Sequence, residues 1–242
     1  MYHDQKKPSV PDMKYHADDW GIIKTENRQK EKIDGLAYLS SSAFPGRCVE
    51  YYIYDGSQIF AEAKNIDTII QDRWFFVDIS IKDIGRTILL VKNTAELFDQ
   101  LKKYNKGIYV STTTFIFVNM IQKCLLCCSG IVFSNGEGDL RVELMPDSVN
   151  TRDLSDGRAD ATKLIYYDVD VVSLKIQYGQ GSSFNNSTAC NFILKEICKC
   201  CYKNKGYYEF IYGLDQIYNF PNLFFTYYSD NERYGLKKEN RW

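Results

Sequence analysis

The spacing of apolar and polar positions changes several times along the chain, and those changes divide it. Between Tyr15 and Leu36 large apolar groups are sparse, Trp20, Ile23 and Ile33 among them. Such a segment is too polar to bury a full face in its own domain. Residues 1–34 are therefore expected to form an N-terminal arm or helix that makes contacts with other molecules, with Gly35 ending the helix. Residues 35–242 are expected to fold as one body. Residues 48–54 are β-branched and aromatic and read as a strand; Asp55-Gly56 reads as a tight turn, and residues 58–61 as the hairpin partner. Residues 73–81, 87–91, 109–120, 140–144, 163–178 and 207–212 carry further strand signals. Within them Tyr167, Val169 and Val171 alternate with Asp168 and Asp170, the period of a half-buried strand. Residues 124–133 are apolar enough for either state.

Two segments have helical spacing. In residues 95–104, Leu97, Phe98, Leu101 and Tyr104 share a face, with Asn93 or Thr94 as cap. In residues 189–202, Cys190, Ile193, Leu194, Ile197 and Cys201 form the buried stripe. Residues 146–162 read as a surface loop, and residues 220–242 as an aromatic, turn-rich tail. About eight strands with two or three inserted helices, and no βαβ rhythm, predict an α+β fold. The expected form is an antiparallel β-sandwich core flanked by helices, with a projecting N-terminal helical arm.

Composition narrows the function classes. The 242 residues carry 30 Lys and Arg against 31 Asp and Glu, a net charge of −1. That balance excludes a strong basic field for gripping phosphates and does not resist association between copies. No stretch reaches the roughly 18–20 apolar residues of a membrane span, and the polar N-terminus lacks the apolar stretch of a signal peptide, so a cytoplasmic location is expected. Of the eight cysteines, Cys124, Cys127 and Cys128 form one cluster and Cys198, Cys200 and Cys201 another. They could assemble a zinc site. Both clusters lie in apolar segments rather than turns, so the expected reading is free thiols packed as small apolar groups and no metal.

Catalytic patterns are weak. The only histidines are His3 and His16, so the body has no histidine base to activate a serine or cysteine. Asp168-Val169-Asp170 resembles a metal-nucleotide element, but a solvent-facing carboxylate pair on a strand is the expected reading. Gly136-x-Gly138 and Gly179-x-Gly181 stop short of a phosphate loop and read as turns. The chain is therefore expected to be a structural or binding protein, not an enzyme.

Several blocks, collinear along the chain, resemble one family. They are Tyr51-Tyr52-Ile53-Tyr54-Asp55-Gly56-Ser57, an aromatic strand closed by an Asp-Gly-Ser turn; Phe98-x-x-Leu101-Lys102-x-Tyr104 on a helix; Val172-Ser173-Leu174 leading through a Ser- and Asn-rich loop to Asn191; and the tail from Tyr234-Gly235-Leu236 to Asn240-Arg241. Together they resemble the polyhedrins of cypoviruses, the matrix proteins of insect-virus occlusion bodies. The resemblance implies a β-sandwich flanked by helices and an N-terminal helix reaching neighbouring molecules. It also implies homotrimers stacked into crystals that embed virions in the host cytoplasm, and dissolution of those crystals in alkali. The partners it implies are further copies and virion surface proteins. Some family members hold nucleotides between molecules; no motif in this chain places one, and no cofactor is expected.

An alkaline release needs groups that titrate high, and the chain has 19 tyrosines. Tyrosine ionises near pH 10, and burial raises that value. The clusters Tyr207, Tyr208 and Tyr212, and Tyr227, Tyr228 and Tyr234, are the expected alkaline switch. The competing reading is a soluble viral β-sandwich protein of capsid or attachment type, which would remain discrete at high concentration. A third is a small enzyme using Asp168 and Asp170 on a nucleotide sugar.

Overall fold

The computed structural model describes residues 25–81, 85–102, 114–121, 127–148, 151, 154, 163–173, 175–178 and 188–230. These build an α+β fold with two antiparallel sheets. The first contains β1 (Tyr51–Asp55), β2 (Phe75–Ile81), β3 (Gly85–Val91) and β4 (Thr114–Asn119), in the order β1-β4-β2-β3. The second contains β5 (Cys128–Ser134), β6 (Asp139–Pro146), β7 (Ile165–Asp170), β8 (Lys175–Tyr178), β9 (Gly206–Leu214) and β10 (Pro221–Ser229), in the order β10-β9-β5-β6-β7-β8. Among the described residues the helices are α1 (Thr25–Leu39), α2 (Gly56–Ala61), α3 (Ala63–Ile70), α4 (Thr94–Lys102) and α5 (Thr188–Cys201). None of them is long and apolar enough to cross a membrane.

Side-chain alternation explains which faces meet. In β7, Ile165, Tyr167 and Val169 are buried while Tyr166, Asp168 and Asp170 are half-buried. β5 is buried along its whole length, which is why its period was ambiguous: both its faces are covered. One face of the second sheet packs against the stripe of α5, joining Val132, Val142, Tyr167 and Phe210 with Cys190, Ile193 and Ile197. One face of the first sheet packs under α2, α3 and α4, through Val77, Ile79 and Phe117 with Ile59, Ile66 and Leu97. A third cluster draws on both sheets: Ile116 and Val118 from β4, Ile211 from β9 and Phe224 from β10 meet Leu36 of α1.

The register of the first sheet places Ile53, Ile116, Asp78 and Ile88 in one row across four strands. α1 crosses this face. Its polar residues are tied to the sheets: Gln29 Nε2 donates to the Thr114 carbonyl at 3.1 Å, and Lys32 Nζ lies 2.8 Å from Asp78 Oδ2, whose side chain is almost fully buried.

Four local expectations are corrected. Gly35 does not end α1, which runs on to Leu39. Glycine serves there as a point of close approach, since a Cβ at position 35 would stand 2.2 Å from the Tyr228 carbonyl oxygen. Asp55-Gly56 is a helix start, not a hairpin turn: the Asp55 carboxylate accepts from Gln58 N at 2.8 Å and Gln58 Oε1 accepts from Asp55 N at 3.0 Å. That reciprocal cap makes α2 helical where a return strand was expected. Residues 163–178 form two strands, because Asp170 folds the chain back by accepting from Val172 N and Ser173 N. The expected tail contains β10, a nine-residue strand at one edge of the second sheet.

Candidate functional site

The two tyrosine clusters expected to act together meet on the β9–β10 hairpin. Tyr208 pairs with Tyr228, and Tyr207 with Ser229. The register shifts between Phe225 and Tyr227, where Thr226 is the extra residue. One inserted residue reverses which face every following side chain takes. Without it Tyr227 would lie beside Tyr208; with it Tyr228 does. The bulge thus sorts two Tyr-Tyr dipeptides into two pairs, with ring centroids 4.8 Å apart for Tyr208–Tyr228 and 6.0 Å for Tyr207–Tyr227.

The inner pair gains a third ring. Tyr38, near the end of α1, stands 4.3 Å from Tyr228 by ring centroids. Asn204 Nδ2 donates to the Tyr38 hydroxyl, the Tyr208 hydroxyl donates to the Asn204 carbonyl at 3.3 Å, and the Tyr228 hydroxyl to the Lys205 carbonyl at 3.2 Å. Below the rings lie Phe44 and Phe225, and alongside them the fully buried Cys201. Burial raises the Tyr38 hydroxyl above its usual value. Burial, then the neighbouring Tyr38 and Asp230, pushes Tyr228 up to about 12. Tyr208 is raised furthest, by burial first and then by Cys201, Tyr38 and Tyr228. Cys200 is pushed up to about 11, mainly by burial and then by Glu196, and Cys201 well above its ordinary value by burial. Five groups that each resist ionisation therefore occupy one nest between α1, α5, β9 and β10.

The outer pair lies on the other face. Tyr207 packs on Phe133 with centroids 5.3 Å apart and donates to Glu209 Oε1 at 3.0 Å. Tyr212 sits apart, farther along β9, where its ring faces Phe192 at 6.0 Å. Tyr234 lies outside the described residues. Tyr38 was missed from sequence; the spacing Ile33, Leu36, Tyr38, Leu39 marks a helix continuing past Gly35 and would have found it.

The other motifs are dispersed. Cys128 lies in β5, while Cys198, Cys200 and Cys201 lie on α5; Cys124 is outside the described residues. Among the described residues no group of three His, Cys, Asp or Glu side chains is placed to hold a metal. Asp168 and Asp170 do share a face of β7, but Asp170 is engaged in its turn and Asp168 lies 3.7 Å from Arg141 Nη1. Gly136 and Gly138 have φ of 79° and 111° and form the β5–β6 turn; Gly179 and Gly181 lie outside the described residues.

A second feature is a groove of about 400 Å³ bordered by Ser40, Arg47, Cys48, Glu50, Tyr51 and Tyr52. Glu50 is the charged group of its lining with the most partners. Arg73 bonds both carboxylate oxygens of Glu50, with Nη2 at 2.9 Å from Oε1, and Asn119 Nδ2 donates to Oε2 at 3.0 Å. Burial works to raise the Glu50 pKa, but the bonds from Arg73 and Tyr52 outweigh it and hold the carboxyl below its usual range. Tyr52 is pushed up to about 12 by burial and by Glu50.

No family model matches the sequence, and no curated protein matches it. A solved structure similar to the chain is D-alanyl-alanine synthetase A from Vibrio cholerae, with a TM-score of 0.38 and 7% identity over 85% of this chain and 56% of that one. The chain thus spans little more than half the length of that protein. The expectation that the chain is not an enzyme is withdrawn. A likeness at this score carries no argument for a synthetase reaction.

Proposed function

We propose that the chain is a self-assembling matrix protein of the cypovirus polyhedrin kind. In this reading its homotrimers pack into crystalline occlusion bodies in the host cytoplasm, embedding and protecting virions near neutral pH and releasing them in alkali. The two sheets form the sandwich, the residues ahead of α1 supply contacts to neighbouring copies whereas α1, expected in that arm, is docked on the chain's own sheets, and virion surface proteins are the embedded partners.

The observation that carries this reading is the nest of Tyr38, Tyr208 and Tyr228 beside Cys200 and Cys201. A tyrosine whose folded pKa is raised adds stability that is fully present below its unfolded value and is lost as pH rises through the folded one. For Tyr228 that window runs from about pH 10 to about pH 12. Tyr38 belongs to α1 and Tyr228 to β10, so ionisation places like charges between α1 and the sheet it docks on. The chain has little that titrates between pH 5 and 8, since its only histidines are His3 and His16. Expression in insect cells followed by light microscopy tests the reading. Cubic or polyhedral cytoplasmic crystals that dissolve above about pH 10 are expected; soluble, discrete protein at high concentration contradicts it.

A further inference from the structure

The turn between β5 and β6 contains Asn135-Gly136, the chain's one Asn-Gly pair. Glycine has no side chain to hinder its backbone nitrogen, so in this dipeptide that nitrogen can attack the preceding side-chain amide. Hydroxide first removes the Gly136 N–H proton. The nitrogen then bonds to Asn135 Cγ, the Cγ–Nδ2 bond breaks, and Nδ2 leaves as ammonia with a proton from water. Water opens the resulting succinimide at either carbonyl, returning a proton to the Gly136 nitrogen and leaving aspartate or isoaspartate; nothing is oxidised or reduced. In the folded turn each reacting group is engaged. Asn135 Oδ1 accepts from Glu137 N at 2.8 Å and Asp139 N at 3.0 Å, and Nδ2 donates to Asp139 Oδ2 at 2.8 Å. Gly136 N donates to Ser134 Oγ at 3.1 Å, and that hydroxyl donates to the Cys201 carbonyl at 2.7 Å. Lys205 backs the turn, since a Cβ at Gly136 would stand 2.8 Å from its backbone nitrogen.

We propose that Asn135 is a deamidation site shielded by the folded β5–β6 turn, and that its modification loosens this hairpin by setting a second carboxylate against Asp139. Cyclisation must break the bond from Gly136 N to Ser134 and turn the Asn135 amide away from Glu137 N, Asp139 N and the Asp139 carboxylate. The reaction therefore proceeds through an opened turn, and its rate follows the population of that opening. The product is set by the same bonds. Deamidation replaces the Nδ2 donor by a carboxylate oxygen, so a hydrogen bond to Asp139 becomes a contact between like charges. The surroundings compound this: Glu137 lies in the same turn, and Asp170 is the partner of Asp139 in the ladder with β7. Lys205, on the side that Gly136 faces, is the neighbouring cation. Isoaspartate also adds a carbon to the backbone at the point that sets the β5–β6 register. The site follows from the turn alone and holds whatever the chain assembles into.

The test is a time course of the full chain at pH 9, folded and in urea, with peptide mass spectrometry at Asn135. Conversion to aspartate and isoaspartate is expected in urea, and at least about tenfold more slowly in the folded chain. Ser134→Ala frees the Gly136 N–H and should speed the folded reaction several-fold while leaving the rate in urea unchanged. Asn135→Asp reproduces one product directly and should lower the melting temperature at pH 7 by a few degrees, less so in high salt, which screens the pair. Adding Asp139→Asn restores a donor and an acceptor across the same contact and should recover most of that loss. Equal rates folded and in urea, or no conversion in urea, overturn the shielded site. An Asn135→Asp chain that melts like the wild type, or a loss that Asp139→Asn leaves untouched, overturns the loosening of the hairpin.

Discussion

Replacing Gly35 by alanine sets two effects of opposite sign against each other. Alanine favours a helix over glycine by about 1 kcal/mol, and Gly35 lies within α1, so propensity alone predicts stabilisation. Against it stands a Cβ placed 2.2 Å from the Tyr228 carbonyl oxygen and 3.2 Å from the Tyr228 carbonyl carbon and nitrogen. All three are backbone atoms of a strand that is hydrogen-bonded to β9, so no side-chain rotation relieves the contact. Restoring an ordinary separation requires α1 to retreat by roughly 1 Å, enough to forfeit a quarter to a half of the attraction between facing atoms. Leu36, whose neighbours include Ile116, Ile211 and Phe224, loses most. Overpacking of this kind costs about 1–3 kcal/mol, and the loosened packing adds to it. A net destabilisation of about 2 kcal/mol is expected, which for a chain of this size lowers the melting temperature by about 4–8 °C. Thermal unfolding followed by circular dichroism measures it. Ala37→Gly, at an exposed position of the same helix, supplies the propensity effect alone, a loss of about 1 kcal/mol. A Gly35→Ala protein that melts at or above the wild-type temperature refutes the close approach of α1 to β10.

Tyr208→Phe and Tyr228→Phe remove groups whose ionisation is resisted by the fold, so each should move the alkaline unfolding midpoint to higher pH; an unmoved midpoint in the double variant refutes the tyrosine switch. Lys32→Ala removes the ammonium facing the buried Asp78 carboxylate and should cost about 3 kcal/mol, whereas Lys32→Met with Asp78→Leu should lie closer to wild type; urea titration distinguishes them. Burial raises all three thiols of α5, but Cys198 is half-buried while Cys200 and Cys201 are buried, so alkylation at pH 8 should label Cys198 fastest; equal labelling rates in the folded protein contradict their placement.

Elements with one buried face were legible in the sequence, because their period reports the face directly. α4 and α5 fall within two residues of their expected bounds at the ends that the structure describes, and β7 has the expected alternation and start although the strand expected to run on to 178 breaks after Asp170. What was not legible depends on partners distant in the chain. Asp55-Gly56 has the composition of a hairpin turn, and only the reciprocal bond with Gln58 selects a helix. Gly35 carries the usual sign of a helix end, but its reason is a strand nearly two hundred residues later. β10 was hidden because its buried and exposed positions break step at Thr226. The tyrosine pairs on the hairpin were visible as clusters, whereas their sorting onto two faces needed the bulge, and Tyr38 entered the nest only through the docking of α1. The Glu50–Arg73–Asn119 network was invisible for the same reason: its members are separated by 23 and 69 positions.

The joining of α1 and the residues before β1 to β10 also fixes an order in time. Val49 N donates to the Phe225 carbonyl, Phe225 N to the Arg47 carbonyl, and Ser229 Oγ to Glu31 across 198 positions. During synthesis the first sheet can close without any of these, since its strands all precede position 120. The cluster under Leu36 cannot, because Ile211 of β9 and Phe224 of β10 belong to it. Contacts so distant in sequence are the slowest to form. A nascent chain therefore keeps that apolar surface open until β10 leaves the ribosome, so chains truncated before β10 should need chaperone protection that chains retaining it do not.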